Sequence, residues 1–199
     1  MKRDKKIFLE LRRKIFHIIS ISFLIFPLEI FGKESIVFLL SLMLIIFFPI
    51  VYFNIRNKLT YPFWNLLKTV ERDENWKIFP ARQAFSLAVG LILVGIFFNE
   101  EILKISILTT AIYDGVATIV GKLFGKHKIP FTKKSIEGTL GGIFANTFVL
   151  SFFISPFQSL IISIFAAIVE IFANSKKWYL DDNFLLPVLV AIFSALFVI

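Results

Sequence analysis

Seven long apolar stretches dominate the chain: Ile15–Phe31, Ile36–Phe53, Ala84–Phe98, Ile102–Phe124, Thr139–Ser155, Phe157–Ala173 and Asn183–Ile199. Crossing the hydrocarbon of a bilayer takes about 20 helical residues, with a range of about 17–25. Most stretches meet that length, and the third does if Ile78–Gln83 begins its helix. Barrel strands are excluded, because those alternate inward and outward over about ten residues. Seven such spans consume most of 199 residues and leave no room for a soluble domain. The expectation is a single all-α domain over residues 1–199, a polytopic transmembrane helical bundle.

Charge supplies the orientation. Of 22 Lys and Arg, 20 fall in Met1–Lys14, Asn54–Gln83, Lys122–Lys134 and Ser175–Leu180, leaving only Lys33 and Lys104 elsewhere. Seven alternating spans put all four segments on one side, and the positive-inside rule makes that side cytoplasmic, N-terminus in. The net charge of +8 is then no sign of nucleic acid, and a chain that is 57% hydrophobic suits a membrane rather than water. With no cysteine there is no disulfide, thiolate metal site or Cys nucleophile. The basic start and first apolar stretch have no small-residue cleavage site, so a retained helix is expected rather than a signal peptide. The connection Asn54–Gln83, with Tyr61, Phe63, Trp64 and Trp76 among mixed charges, reads either as an amphipathic helix in the headgroup zone or as a solvated connector.

Ionisable groups inside membrane segments cost about 2.5–3.5 kcal/mol each on insertion scales, which makes them functional candidates. Here they lie towards the cytoplasmic ends. Arg13 and Lys14 share a helix face with His17 by i, i+4 and i, i+3 spacing. Asp114 lies in the fourth span, Glu170 in the sixth, and Asp181, Asp182 and Asn183 open the seventh. Plainer roles exist for some: a topology anchor for Arg12–Lys14, an interior hydrogen bond for His17, an N-cap for Asp182. Glu170, in an apolar run, has no such role, and Glu29 near the opposite surface reads as a solvated end residue.

The densest segment is Asp114–Gly142, which holds Gly115, Gly121, Gly125, Gly138, Gly141 and Gly142 beside Lys122, Lys126, Lys128, Lys133 and Lys134. Glycine lets backbone N–H groups approach a phosphate, a helix N-terminus adds a favourable dipole, and lysines supply countercharge. Ser135–Thr139 precedes the fifth span, so its N–H groups are expected to be free at the interface. Asp114 with Glu137 could hold Mg²⁺ through its waters. Helix packing accounts for Gly121-x-x-x-Gly125 equally well, but not for the Lys134-Ser135-x-Glu137-Gly138-Thr139 run. No P-loop pattern is present.

These residues give the chain a resemblance to the CTP-dependent lipid-alcohol kinases, the group of dolichol kinases, phytol kinases and CTP-dependent diacylglycerol kinases. Three blocks carry it. The first is Glu10-x-Arg12-Arg13-Lys14-x-x-His17. The second is Asp114-Gly115-x-Ala117-x-x-x-Gly121-x-x-x-Gly125-Lys126, continuing into Lys134-Ser135-x-Glu137-Gly138-Thr139. The third is Glu170 followed by Asp182-Asn183-x-x-x-Pro187. Ser135 stands where Thr is more usual, which keeps the hydroxyl. The second block is shared with phosphatidate cytidylyltransferases. The first and third are kinase-like, and the Asp-Arg-x-Asp carboxylate block of the cytidylyltransferases is absent.

The resemblance implies a magnesium-dependent kinase that moves the γ-phosphate of CTP to the hydroxyl of a polyprenol, phytol or diacylglycerol at the cytoplasmic face of a prokaryotic plasma membrane. It places CTP in the loop 122–138. Lys126 and Lys134 would bind phosphates, Asp114 and Glu137 the metal, and Arg13 and Lys14 the charge developing on the transferred group. Asp114, Asp182 or His17 would take the hydroxyl proton. Gly121, Gly125, Ser135, Gly138, Thr139, Glu170 and Asn183 complete the nucleotide site. The alternatives are a cytidylyltransferase-like enzyme making a CDP-activated lipid, and a transporter, which would want polar groups at the bilayer midplane.

Overall fold

The computed structural model describes residues 2–71, 76, 79–130, 132, 134–173 and 181–197, with side chains from residue 7 onward. Its helices are α1 (Lys2–Ser22), α2 (Ile25–Phe31), α3 (Lys33–Tyr52), α4 (Tyr61–Val70), α5 (Arg82–Phe97), α6 (Glu100–Leu123), α7 (Ile136–Leu150), α8 (Pro156–Phe172) and α9 (Asp182–Phe197). Among the described residues there is no strand, only an isolated antiparallel bridge between Lys128 and Ser135.

Local chemistry sets the boundaries. Pro27 has no N–H to continue α1 into α2, and Ser20 Oγ donates to the Phe16 carbonyl at 2.7 Å, a bond that bends helices. The first apolar stretch is therefore two helices. Gly32, at φ 75°, ends α2 and admits the turn into α3. Asn99 caps α6 by accepting from the Ile102 N–H at 2.9 Å. Ser155 and Gln158 form a capping box at α8, where Pro156 occupies the first turn.

Three segments are long and apolar enough to cross a membrane: Ile7–Phe31, Lys33–Tyr52 and Glu100–Leu123. The other four apolar helices are shorter than these three. α5, α7, α8 and α9 have 16, 15, 17 and 16 residues, or about 22–26 Å at 1.5 Å per residue. The expected extension of the third stretch from Ile78 is not made. Ala81 takes a left-handed conformation at φ 59° directly before Arg82, which stops the helix from starting earlier; Ile78 itself lies outside the described residues.

α6 is the axis. Of its apolar stretch 72% is buried, against 17% for α1–α2 and for α3, where Phe38 and Phe48 are exposed. One core joins α1, α2, α3, α5, α6 and α9 around Ile21, Leu28, Leu91, Leu103 and Ile107. A second joins α6 to α9 around Tyr113, Leu150, Ile162, Leu186 and Val190. Small residues bring α6 and α7 together: a Cβ on Gly138 would lie 2.6 Å from the Ala117 carbonyl, and one on Gly142 would lie 2.8 Å from Ala117 Cβ. Gly121, Gly125 and Gly141 are closed off by Ser135 or Val120, and Gly115 by Ile18 of α1. Packing thus accounts for all six glycines of Asp114–Gly142, not two.

α4 is the amphipathic helix expected in the connection 54–83. Trp64 and Leu67 are buried against Val51, Ala81 and Phe85, while Tyr61 and Leu66 are exposed. Residues 72–75, 77 and 78 of that connection lie outside the described set.

Candidate active site

Charged side chains from four helices and one loop meet at one end of the bundle. With no Cβ on Gly115, Ile18 seats directly on α6 and draws α1 close. That approach sets Lys14 and His17, one turn apart on α1, against Asp114 of α6. Lys14 Nζ donates to Asp114 Oδ2, and His17 Nε2 lies 3.1 Å from the same oxygen. Lys14 and Asp114 are 3% and 2% exposed, so this is a buried charge pair. Asp114 Oδ1 is buried with no protein partner. Arg13 points elsewhere on α1: its guanidinium donates to Glu10 Oε2 at 3.0 Å and to Gln83 Oε1 of α5 at 2.9 Å. It ties α1 to α5 rather than touching Asp114.

The second half of the cluster centres on Glu170, one turn from the C-terminal end of α8 rather than in its middle. Glu170 Oε1 accepts from Lys134 Nζ, and Oε2 accepts from the Tyr113 hydroxyl at 3.2 Å. Asp182 Oδ2 lies 3.8 Å from the same ammonium. Lys134 stands in the loop just before the N-cap of α7, which aims its side chain back into the bundle. Burial opposes its charge, but Glu170, Asp182 and Asp114 outweigh that and hold its pKa above the ordinary lysine value. Tyr113, adjacent to Asp114 in the chain and fully buried, links the two halves.

At the head of α9, Asn183 Nδ2 donates to Asp181 Oδ1 at 2.7 Å and to Asp182 Oδ1 at 3.0 Å, fixing the two carboxylates side by side. Arg82 Nη2 lies 3.8 Å from Asp181 Oδ2. Burial first, then the charge of Asp182, push Asp181 up to about 6, and the hydrogen bonds from Asn183 offset this only in part.

The glycine–lysine loop is arranged differently from the expectation. Its helix N-terminus is already satisfied: the Ile136 N–H donates to the His127 carbonyl at 2.9 Å, and the Gly138 N–H to Ser135 Oγ at 3.2 Å. The free N–H groups expected over Ser135–Thr139 are therefore reduced by an N-cap and a loop contact. Glu137 turns to the loop, with Oε1 2.6 Å from His127 Nδ1, and accepts from the His127 N–H at 3.1 Å. Asp114 and Glu137 thus have different neighbours. Lys126 is exposed, Gly121 and Gly125 pack on Ser135, and Thr139 Oγ1 is buried without a hydrogen-bond partner. Lys133 lies outside the described residues.

Tyr113, Gln83 and Arg82 have no place in the sequence reading, although a hydroxyl beside Asp114 and two polar residues opening the third stretch were legible signals. A further polar knot lies deeper, where Asn146 Nδ2 donates to Ser163 Oγ at 2.9 Å and to Thr109 Oγ1 at 3.4 Å. No family model, curated protein or solved structure matches the chain. The arrangement offers buried cations, an acceptor oxygen at Asp114 and a carboxylate–ammonium pair, a set suited to moving an anionic group in a site shielded from water.

Proposed function

We propose that the chain is an integral-membrane kinase that transfers the γ-phosphate of CTP to the hydroxyl of a lipid alcohol of the polyprenol, phytol or diacylglycerol type. The observation that carries this reading is the gathering of Lys14, His17, Asp114, Lys134, Glu170 and Asp182 at one end of an apolar bundle. Charges in helices of this kind are costly and do not collect without a use. A transporter would want them near the bilayer midplane, whereas these share the end that bears the basic segments. In this reading α1–α2, α3, α5, α6, α7, α8 and α9 are seven spans, with the short ones accommodated by local thinning of the bilayer. The N-terminus and the site face the cytoplasm of a prokaryotic cell.

Residues present fit a magnesium ion in part. Asp114 Oδ1 is an unpartnered hard oxygen, and Mg²⁺ is commonly held by one or two carboxylates plus substrate phosphates. Glu137 would have to exchange His127 for it. Held by Asp114, with Glu137 if it left His127, magnesium would supply positive charge to offset that of the transferred phosphate. Lys134 and Lys126 bind the polyphosphate, and Lys14 neutralises charge on the group in flight. Arg13 holds α1 on α5 and so positions Lys14. The lipid oxygen bonds to the γ-phosphorus as the bond to the CDP oxygen breaks. The hydroxyl proton passes to Asp114, Asp182 or His17, and CDP leaves.

The test is product analysis with CTP labelled at the γ or the α phosphate, and with ATP, against a panel of lipid alcohols. A kinase puts γ label into a lipid monophosphate and releases CDP. Transfer of α label with release of pyrophosphate makes the chain a cytidylyltransferase, and no transfer with any alcohol removes the enzymatic reading.

A further inference from the structure

Away from the charge cluster, a pocket of about 430 Å³ opens on the α3–α4 connection, lined by Arg56, Lys58, Lys68, Tyr61, Trp64 and Trp76 among others. It is built rather than incidental. Asn57 Oδ1 accepts from the N–H groups of Leu59 and Thr60 at 3.0 and 2.9 Å, and Thr60 Oγ1 donates to the Ile55 carbonyl at 2.8 Å. Trp64 Nε1 donates to that same carbonyl at 2.8 Å, which seats the buried indole as the pocket's floor. These bonds fix the turn before α4 and so fix where the cations stand.

Three cations, Arg56, Lys58 and Lys68, line it, and among the described residues no carboxylate does. The Arg56 guanidinium lies 4.9 Å from the centre of the Trp64 ring, and its Nε donates to Asn54 Oδ1 at 3.0 Å. Neither Lys58 nor Lys68 is held in an ion pair among the described residues. The nearest described acid along the chain, Glu71, is buried and accepts from the Ala81 N–H at 2.8 Å. An Arg held over an indole face beside two lysines is suited to a phosphate-bearing anion.

The rim decides which anion. Phe53, Leu59 and Tyr61 are 70%, 87% and 63% exposed beside the pocket. A basic pocket for a soluble anion has no need of such apolar side chains. Aromatic and aliphatic groups interleaved with Lys and Arg belong at headgroup depth, where apolar parts enter the acyl boundary and charges meet phosphates. The geometry points to a binding site for the phosphodiester headgroup of an anionic phospholipid, which anchors the α3–α4 connection to the membrane surface. The site is separate from the charge cluster and stands whether or not the kinase reading does.

Full-length protein with Trp178→Phe, in mixed detergent micelles, is titrated with phosphatidylglycerol while Trp64 and Trp76 fluorescence is followed. Phosphatidylcholine at equal mole fraction and glycerol 3-phosphate form the other arms. Saturable binding of phosphatidylglycerol alone is expected. Lys58→Gln with Lys68→Gln should weaken it about thirtyfold, from about fivefold for each lysine near an anionic surface. Lys58→Arg with Lys68→Arg should retain it. Unchanged binding in the double Gln variant, an equal response to phosphatidylcholine, loss of binding in the Arg variant, or competition by glycerol 3-phosphate would each overturn the proposal; the last would make this a soluble-anion site.

Discussion

The two ends of the bundle both carry acids and bases, and they treat them oppositely. At the end formed by Gly32, Asn99 and the α7–α8 turn, Lys104 pairs with Glu29 at 2.5 Å with the two side chains 20% and 48% exposed. Lys33 there donates to the Phe98 carbonyl at 2.8 Å. At the other end, Lys14, Asp114 and Glu170 are all but closed off from solvent and drawn from different helices. Exposed pairs are worth little, and buried ones cost desolvation that their attraction does not fully return. Only the second arrangement is hard to explain by folding alone, which is why the proposed chemistry is put at that end.

Several measurements can break that contrast. The largest effect belongs to Asp114→Asn, which removes the charge on which Lys14 and His17 converge. Transfer of γ label from CTP should drop by about a thousandfold, the scale of losing a principal electrostatic or proton-accepting group. Near-normal turnover would move the chemistry elsewhere. Glu170→Ala should next cost about 1–3 kcal/mol of stability, since it leaves the buried Tyr113 hydroxyl unpaired and Lys134 with only the more distant Asp182, read as thermal unfolding in detergent.

Asp181 sharpens the comparison through pH. Its folded pKa, about 6, lies above the ordinary 3.8, so the folded state binds the proton more tightly. The stability this contributes is present below about pH 4 and is lost as pH rises to about 6, up to about 3 kcal/mol. Asp181→Asn should abolish that slope; parallel wild-type and variant melting curves across the interval would refute it. Gly138→Ala should destabilise by about 1–3 kcal/mol, since its Cβ meets a backbone carbonyl that cannot move aside cheaply. The smallest effect is expected for Lys104→Gln at the far end, below about 1 kcal/mol and without loss of transfer. A loss matching that of Asp114→Asn would erase the distinction between the ends.

The helical class was legible because apolar runs are a local signal. Pro27, Gly32, Asn99 and the Ser155–Gln158 pair act just as locally, yet the break at Pro27 was not read from the first apolar stretch. Helix lengths were less legible: nothing in the third stretch announces that Ala81 turns left-handed and delays α5 to Arg82. Within the candidate site, Lys14, His17, Asp114, Glu170 and Asp182 stood out because charge in an apolar run is conspicuous. Tyr113 and Gln83 did not, because neither carries a charge, although each adjoins a residue that does, Asp114 and Arg82. The glycines were ambiguous. A glycine needed for a phosphate and one needed for a helix contact look the same until the neighbouring helix is in place.

What the sequence determined by itself is the helical, apolar class of the molecule. The apolar runs demand helices, and 20 of 22 Lys and Arg are gathered into four segments of the chain. Only the tertiary structure decided which charges meet. Lys14 and Asp114 are 100 residues apart, and Lys134 and Glu170 are 36 apart. Their pairing depends on how closely α1, α7 and α8 approach α6. That distance is set by side chains on other helices, such as Ile18 against Gly115 and Ala117 against Gly138, and no reading along a single chain contains it.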